Sequence, residues 1–168
     1  MSVLGDSILR KFIENGMIVQ CFIDLNMQLQ PAGIDLTLGK VFKFTSMGII
    51  DFSNEKRRIA DVEEIPFSKD GYVDLPPGAY RIMFNEVVVV PKDCIAIALP
   101  RSSLMRSGAT VITALWDPGY KGRSQGLLVV FNDKGIRLFK NARVAQLIFI
   151  RASGVSRSYE GTYQGENI

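Results

Sequence analysis

Apolar residues recur along this chain at two spacings, and the change from one to the other divides it. Near the start they fall at Ile8, Leu9, Phe12 and Ile13, the pattern of one helix face. Asp6 or Ser7 is placed to cap that helix, and Asn15-Gly16 to end it. Beyond Gly16 the helical period is gone. Short β-branched or aromatic runs take over, punctuated by Gly, Pro, Asn and Asp, which predicts strands over 17–22, 34–44, 80–90, 94–99, 110–114, 126–131, 136–138 and 145–150. Many short strands behind one short helix argue for an all-β sandwich or barrel, of the jelly-roll type, and against a parallel α/β sheet. The polar stretch 46–70, with Glu55-Lys56-Arg57-Arg58 and Glu63-Glu64, reads as an exposed excursion with one or two edge strands. Leu75-Pro76-Pro77-Gly78 is a turn that resets the chain. From Ser153 the chain is rich in Gly, Ser and Tyr, the composition of a mobile tail.

The 168 residues fit a single domain, 1–168, with 153–168 as its tail. A composition of 47% hydrophobic and 22% charged residues is ordinary for a globular protein, and a net charge of +3 does not by itself argue for nucleic acid. The absence of histidine removes Ser-His-Asp and Cys-His catalysis, histidine-bound zinc and the usual zinc deaminase chemistry. Cys21 and Cys94 sit in apolar surroundings and read as small buried hydrophobes, not a disulfide pair. No apolar run approaches the about 20 residues of a membrane span. The first residues lack the basic and apolar regions of a signal peptide, so a cytoplasmic location without membrane partners is the expectation.

The chemistry concentrates between Pro100 and Gly122, PRSSLMRSGATVITALWDPGYKG. Arg101, Ser102 and Ser103 follow an apolar run; guanidinium and hydroxyl donors suit phosphate oxygens. Alternatively the serines form a hydroxyl–backbone turn and the basic residues a solvated face. Asp117 lies in Trp116-Asp117-Pro118-Gly119-Tyr120. Asp-Pro-Gly is a common β-turn, in which the Asp bonds its own backbone. A carboxylate beside a phosphate-binding cluster has a second use, because it would repel the anion unless it held a metal or activated a water.

PRSSLMRSG followed by WDPGYKG resembles the second and third motifs of the dUTPase and dCTP deaminase superfamily. Pro31-Ala32-Gly33-Ile34-Asp35-Leu36, Arg143-Val144-Ala145-Gln146-Leu147-Ile148 and Tyr159-Glu160-Gly161-Thr162-Tyr163-Gln164-Gly165 are similar to its other motifs, in the same order. The resemblance implies a distorted jelly roll, the dUTPase-like β-clip, with one short N-terminal helix. It implies that Asp117 deprotonates the attacking water, and that Mg²⁺ on the substrate's phosphates is supported through water by Asp35, which otherwise reads as an exposed strand residue. Arg101, Ser102 and Ser103 would contact the phosphates or fix their loop, and Arg106 matches a functional arginine of the deaminases. Tyr120 would pack on the sugar and leave no room for a 2′-hydroxyl; its alternative is a core aromatic. Gln146 is either functional or ordinary strand packing. Tyr159, Thr162 and Gln164 would belong to a tail that closes over the nucleotide, within a homotrimer whose sites are shared. Main-chain groups of the 108–116 hairpin would read the base.

Two activities share that scaffold. The deaminases carry a glutamate on the strand after the G-Y/F-x-G turn, where this chain has Leu127-Leu128-Val129-Val130. Their tail resembles G-K-Y-Q-G-Q, whereas this one reads Gly161-Thr162-Tyr163-Gln164-Gly165-Glu166. The N-terminal helix and QPAGIDLTLG are closer to the deaminase plan. The resemblance therefore implies a dUTP diphosphatase, giving dUMP and pyrophosphate, on a deaminase-like chain. A dCTP deaminase and a nucleotide sensor without turnover are the alternatives.

Overall fold

The longest strand, Gly33–Phe44, organises the fold; in this computed structural model, which describes residues 2–168, four other strands pair with it. In chain order the elements are α1 (Asp6–Glu14), β1 (Val19–Gln20), α2 (Leu25–Gln28), β2 (Leu29–Gln30), β3 (Gly33–Phe44), β4 (Val62–Ile65), β5 (Tyr72–Leu75) and β6 (Gly78–Phe84). They continue as β7 (Val87–Val89), β8 (Cys94–Pro100), α3 (Ser102–Arg106), β9 (Ala109–Ile112), β10 (Lys121–Gly122), β11 (Gln125–Val130), β12 (Ile136–Phe139) and β13 (Arg143–Arg151).

The largest sheet runs β8-β13-β3-β6-β11-β9, with β2 and β4 also on β3; a smaller one runs β1-β7-β10, and β12 pairs β5. Every one of these pairings is antiparallel. This is the all-β distorted jelly roll. Residues 33–38 of β3 are buried on both faces, and β3 bends where its register to β6 slips between Leu38 and Lys40. Leu36, Leu38, Ile82, Phe84, Leu128, Leu147 and Phe149 are fully buried along these central strands. Gly33 is there because β13 passes too close for a side chain: a Cβ would run into the Leu147 carbonyl.

Most predicted strands are present, with different ends. The predicted run 80–90 is cut after Phe84 because Glu86 turns inward, with its carboxylate accepting from Gln28 Nε2 (2.8 Å), Thr37 Oγ1 (2.6 Å) and Thr37 N (2.9 Å). Burial pushes the Glu86 acid above the usual carboxylate range. The helix is capped by Gly5 in extended backbone, with no side-chain cap, so Asp6 lies inside the first turn. Cys21 also departs from expectation. It is exposed and adopts a left-handed φ of 59°, while Cys94 is buried, and both thiols are free. Ser102–Arg106 is a short helix in place of a turn, and Tyr72–Leu75 is a strand that the sequence reading left out.

Candidate functional site

Asp117, Pro118, Gly119 and Tyr120 form a turn closed by Tyr120 N donating to the Asp117 carbonyl (3.1 Å), with Gly119 at φ 85°. The turn is built from backbone alone. The Asp117 side chain is exposed and makes no hydrogen bond among the described residues, so it has no duty in the turn. It borders a cavity of about 240 Å³, together with Trp116, Tyr120, Ser124, Tyr159 and Glu166.

Tyr120 is buried, and its ring meets Tyr159 edge-on at 5.6 Å between centroids. Its phenol donates to Glu166 Oε1 (2.8 Å). Burial, and then the Glu166 carboxyl, push the phenol well above the usual tyrosine range. The Ser124 hydroxyl lies close enough to pull it slightly back, yet Ser124 Oγ is buried without a bond of acceptable geometry.

The tail docks on this same turn, although its composition suggested a mobile segment. Tyr159 N donates to the Pro118 carbonyl (2.7 Å), and Gly165 N to the Lys121 carbonyl (2.8 Å). Gln164 clamps the turn from both sides: Nε2 donates to the Gly119 carbonyl (3.0 Å) and Oε1 accepts from Lys121 N (2.9 Å). Thr162 Oγ1 accepts from Arg57 Nη2 (2.9 Å), which ties the tail to the excursion. A glycine is required at position 119 twice over, because a Cβ there would also come within 2.9 Å of Ser158 Cβ.

Burial raises the Glu166 acid, and the Tyr120 hydrogen bond and the Arg81 charge only partly lower it. The docked tail therefore favours the protonated acid. That contribution to docking is complete below the ordinary glutamate value of about 4.3 and is lost as pH rises through the elevated value. Hydrogen exchange at the Gly165 and Glu166 amides, corrected for intrinsic rate, should show opening that increases with pH in the wild type. Glu166→Gln should remove that slope; an unchanged slope would contradict this origin.

The remaining predicted residues gather elsewhere. Asp35 is not an exposed strand residue: it is 1% exposed, and its Oδ2 meets Arg101 Nε at 3.0 Å and Arg143 Nη1 at 3.3 Å. Arg143 Nη1 also donates to the Met27 carbonyl (2.6 Å). Burial raises the Asp35 acid despite both guanidiniums. Gln146 pairs across from Asp35 in the β13–β3 register and from Leu99 in the β13–β8 register. Ser102, Ser103 and Arg106 lie exposed on α3.

These two groups stand far apart within one chain. Trp116 pairs with Ala96, and the chain then runs so that Gly119 N donates to the Val90 carbonyl, away from Arg101. Arg101 directly follows the end of β8, five residues beyond Ala96 in the other direction, roughly 16 Å at strand rise.

The described residues do not fit a protein-held Mg²⁺. Asp35 Oδ2 is already shared by Arg101 and Arg143, and among the described residues no three His, Cys, Asp or Glu side chains cluster. Arg143, Arg81, Ser124 and Glu166 as site-facing groups escaped the motif reading. Arg143 opens the fourth motif and Glu166 was visible only as a departure at its tail position; Ser124 and Arg81 carry no motif signal.

Similarity to known proteins bears on this geometry. Residues 3–152 match the family described as dCTP deaminase-like. The probable deoxyuridine 5′-triphosphate nucleotidohydrolase of Archaeoglobus fulgidus is 47% identical over 168 residues, covering 100% of this chain and 99% of that one. The deoxyuridine 5′-triphosphate nucleotidohydrolase of Methanocaldococcus jannaschii is 44% identical over 139 residues, covering 82% of this chain and 88% of that one. A solved structure of the 2′-deoxycytidine 5′-triphosphate deaminase from Agrobacterium tumefaciens shares the fold, with a TM-score of 0.68 at 24% identity, covering 88% of this chain and 47% of that one.

Proposed function

The chain belongs to the dCTP deaminase-like family, and within it we propose that this member hydrolyses dUTP to dUMP and pyrophosphate. The observation that carries the reading is Asp117: a solvent-facing carboxylate at a cavity mouth, in a turn that closes without it. A carboxylate held there, free of structural duty, is placed to act as a general base. In this reading it takes a proton from water as the water oxygen bonds to the α-phosphorus. The bond from that phosphorus to the bridging oxygen breaks, pyrophosphate leaves with the electron pair, and the proton passes to solvent. Relatives of 44–47% identity named as dUTP nucleotidohydrolases support it.

Mg²⁺ would enter with the substrate, not on a protein carboxylate, and would supply charge neutralisation at the phosphates. Arg101, Ser102, Ser103 and Arg106 are the phosphate donors in this reading, and Tyr120 the sugar platform. Because Asp117 and Arg101 lie at opposite directions along β8, one site needs residues from more than one copy, and a closed homotrimer supplies them. Tyr159, Thr162 and Gln164 would act through the tail, 153–168, with Gln146 beside Asp35. A cytoplasmic enzyme fits, and no described helix is long and apolar enough to cross a membrane.

Deamination of dCTP has less support. Leu127 sits on β11 between Arg81 of β6 and Ile112 of β9, and none of the three can activate a water as a carboxylate does. Incubation with dUTP and with dCTP separates the readings. Pyrophosphate from dUTP is the expected product; ammonia from dCTP would make the chain a deaminase, and saturable binding without product would make it a sensor.

A further inference from the structure

Among the described residues, three buried side-chain atoms make no hydrogen bond: Asp51 Oδ1, Arg81 Nε and Ser124 Oγ. Buried polar groups are ordinarily paired, so each unpaired one asks for a reason. Asp51 sits in the exposed excursion, where its other oxygen already accepts from Ser53 and Lys56. The other two border the clefts around Asp117.

Arg81 occupies an unusual row. Antiparallel register places it directly between Phe42 of β3 and Leu127 of β11, and Leu127 in turn faces Ile112 of β9. Directly paired residues share a sheet face, so one cation stands in a row of three apolar side chains. Its guanidinium carbon is 5.6 Å from the Phe42 ring centroid, which leaves the donor edge of the group uncommitted. No carboxylate pairs with it in a salt bridge among the described residues.

The cleft it lines has a volume of about 380 Å³ and includes Phe44, Ile112, Gln125 and Leu127. It shares Ala114 and Gln125 with the Asp117 cavity, so the two are contiguous. The shared edge, residues 113–115, has left the β9–β11 ladder, and its main-chain groups belong to no strand pair. A shallow, mostly apolar depression with one donor-only group suits the face of a flat ring that carries a carbonyl oxygen. A phosphate chain fits poorly, because it would bring several charges to a single guanidinium with Asp117 and Glu166 nearby.

We propose that Arg81 is a specificity-determining residue that donates to the 4-carbonyl oxygen of a uracil ring in this cleft. Guanidinium has no acceptor. It therefore discriminates against cytosine, whose 4-amino group would point donor against donor. The inference rests on the reading of the Asp117 cavity as a nucleotide site, and it adds a side-chain reader to the main-chain contacts expected of the hairpin.

Binding, not turnover, tests it, using the α,β-imido analogues of dUTP and dCTP and calorimetry on the full chain. The wild type should prefer the uracil analogue. Arg81→Met should weaken that analogue by roughly 10- to 100-fold, the range of a hydrogen bond to a charged group, and leave the cytosine analogue within about twofold. Arg81→Lys should recover part of the preference, since an ammonium still donates. Circular dichroism and a thermal scan check that the variants fold. Equal weakening of both analogues would mark a phosphate contact and overturn the proposal, as would an unchanged preference or a wild type that binds neither. A wild type that prefers uracil yet releases no pyrophosphate from dUTP would sink the hydrolase reading and leave Arg81 standing.

Discussion

Replacing Asp117 with Asn is expected to lower kcat on dUTP by roughly 10²- to 10⁴-fold, the usual contribution of a positioned general base. The fold and the nucleotide affinity should stay in place. The substitution is isosteric, and the turn it sits in is closed by Tyr120 N and the Asp117 carbonyl, which it does not touch. The tail also docks without the Asp117 side chain, through Pro118, Gly119 and Lys121. Stopped-flow pyrophosphate release and a thermal melt read both halves of the prediction. Turnover within a few fold of wild type would remove Asp117 from the mechanism; a collapse of Tm would give it a structural role that the backbone hydrogen bonds argue against.

Asp35→Ala should act on stability instead. Removing one member of a buried ion pair commonly costs about 3–5 kcal/mol, because its partners are left buried and unpaired. Here two guanidiniums, each 29% exposed, lose their common acceptor. At about 2–4 °C per kcal/mol for a chain of this size, Tm should fall by roughly 6–20 °C. The drop should be the same with EDTA present, since the partners are arginines. The sign with pH follows from burial. The Asp35 acid is raised, so its contribution is complete below the ordinary aspartate value near 3.9 and declines as pH rises through the raised value. The wild-type advantage over the variant should therefore be larger at pH 4 than at pH 8. A stability loss seen only in the presence of Mg²⁺ would restore the metal-supporting role.

Much of the fold was legible because its signals are local. Alternating β-branched runs gave most strands, and Asn15-Gly16 ended the helix where Gly16 adopts φ 67°. The errors came from interactions between distant parts of the chain. Glu86 interrupts an otherwise continuous apolar run because Gln28 and Thr37, far away in sequence, satisfy it inside. Tyr72–Leu75 becomes a strand only because Ile136–Phe139 returns to pair with it. Ser102–Arg106 could not be told from a turn, since a five-residue helix carries almost no periodicity.

The site shows the same division. Motif spacing brought out Asp117, Tyr120 and Tyr159, which border one cavity, while Gln164 clamps the turn beside it and Thr162 meets Arg57 instead. Spacing did not reveal that Asp35 is buried under two arginines, because burial depends on β13 and β8 closing over β3. Nor could it reveal Arg81 and Ser124, whose interest lies in bonds they do not make.

The most direct test of the account is the fate of solvent oxygen. Turnover of dUTP in H₂¹⁸O, followed by mass spectrometry, should place one heavy oxygen on dUMP and none on pyrophosphate, with no ammonia from dCTP under the same conditions. Label in the pyrophosphate, or ammonia from dCTP with dUTP left intact, would contradict it.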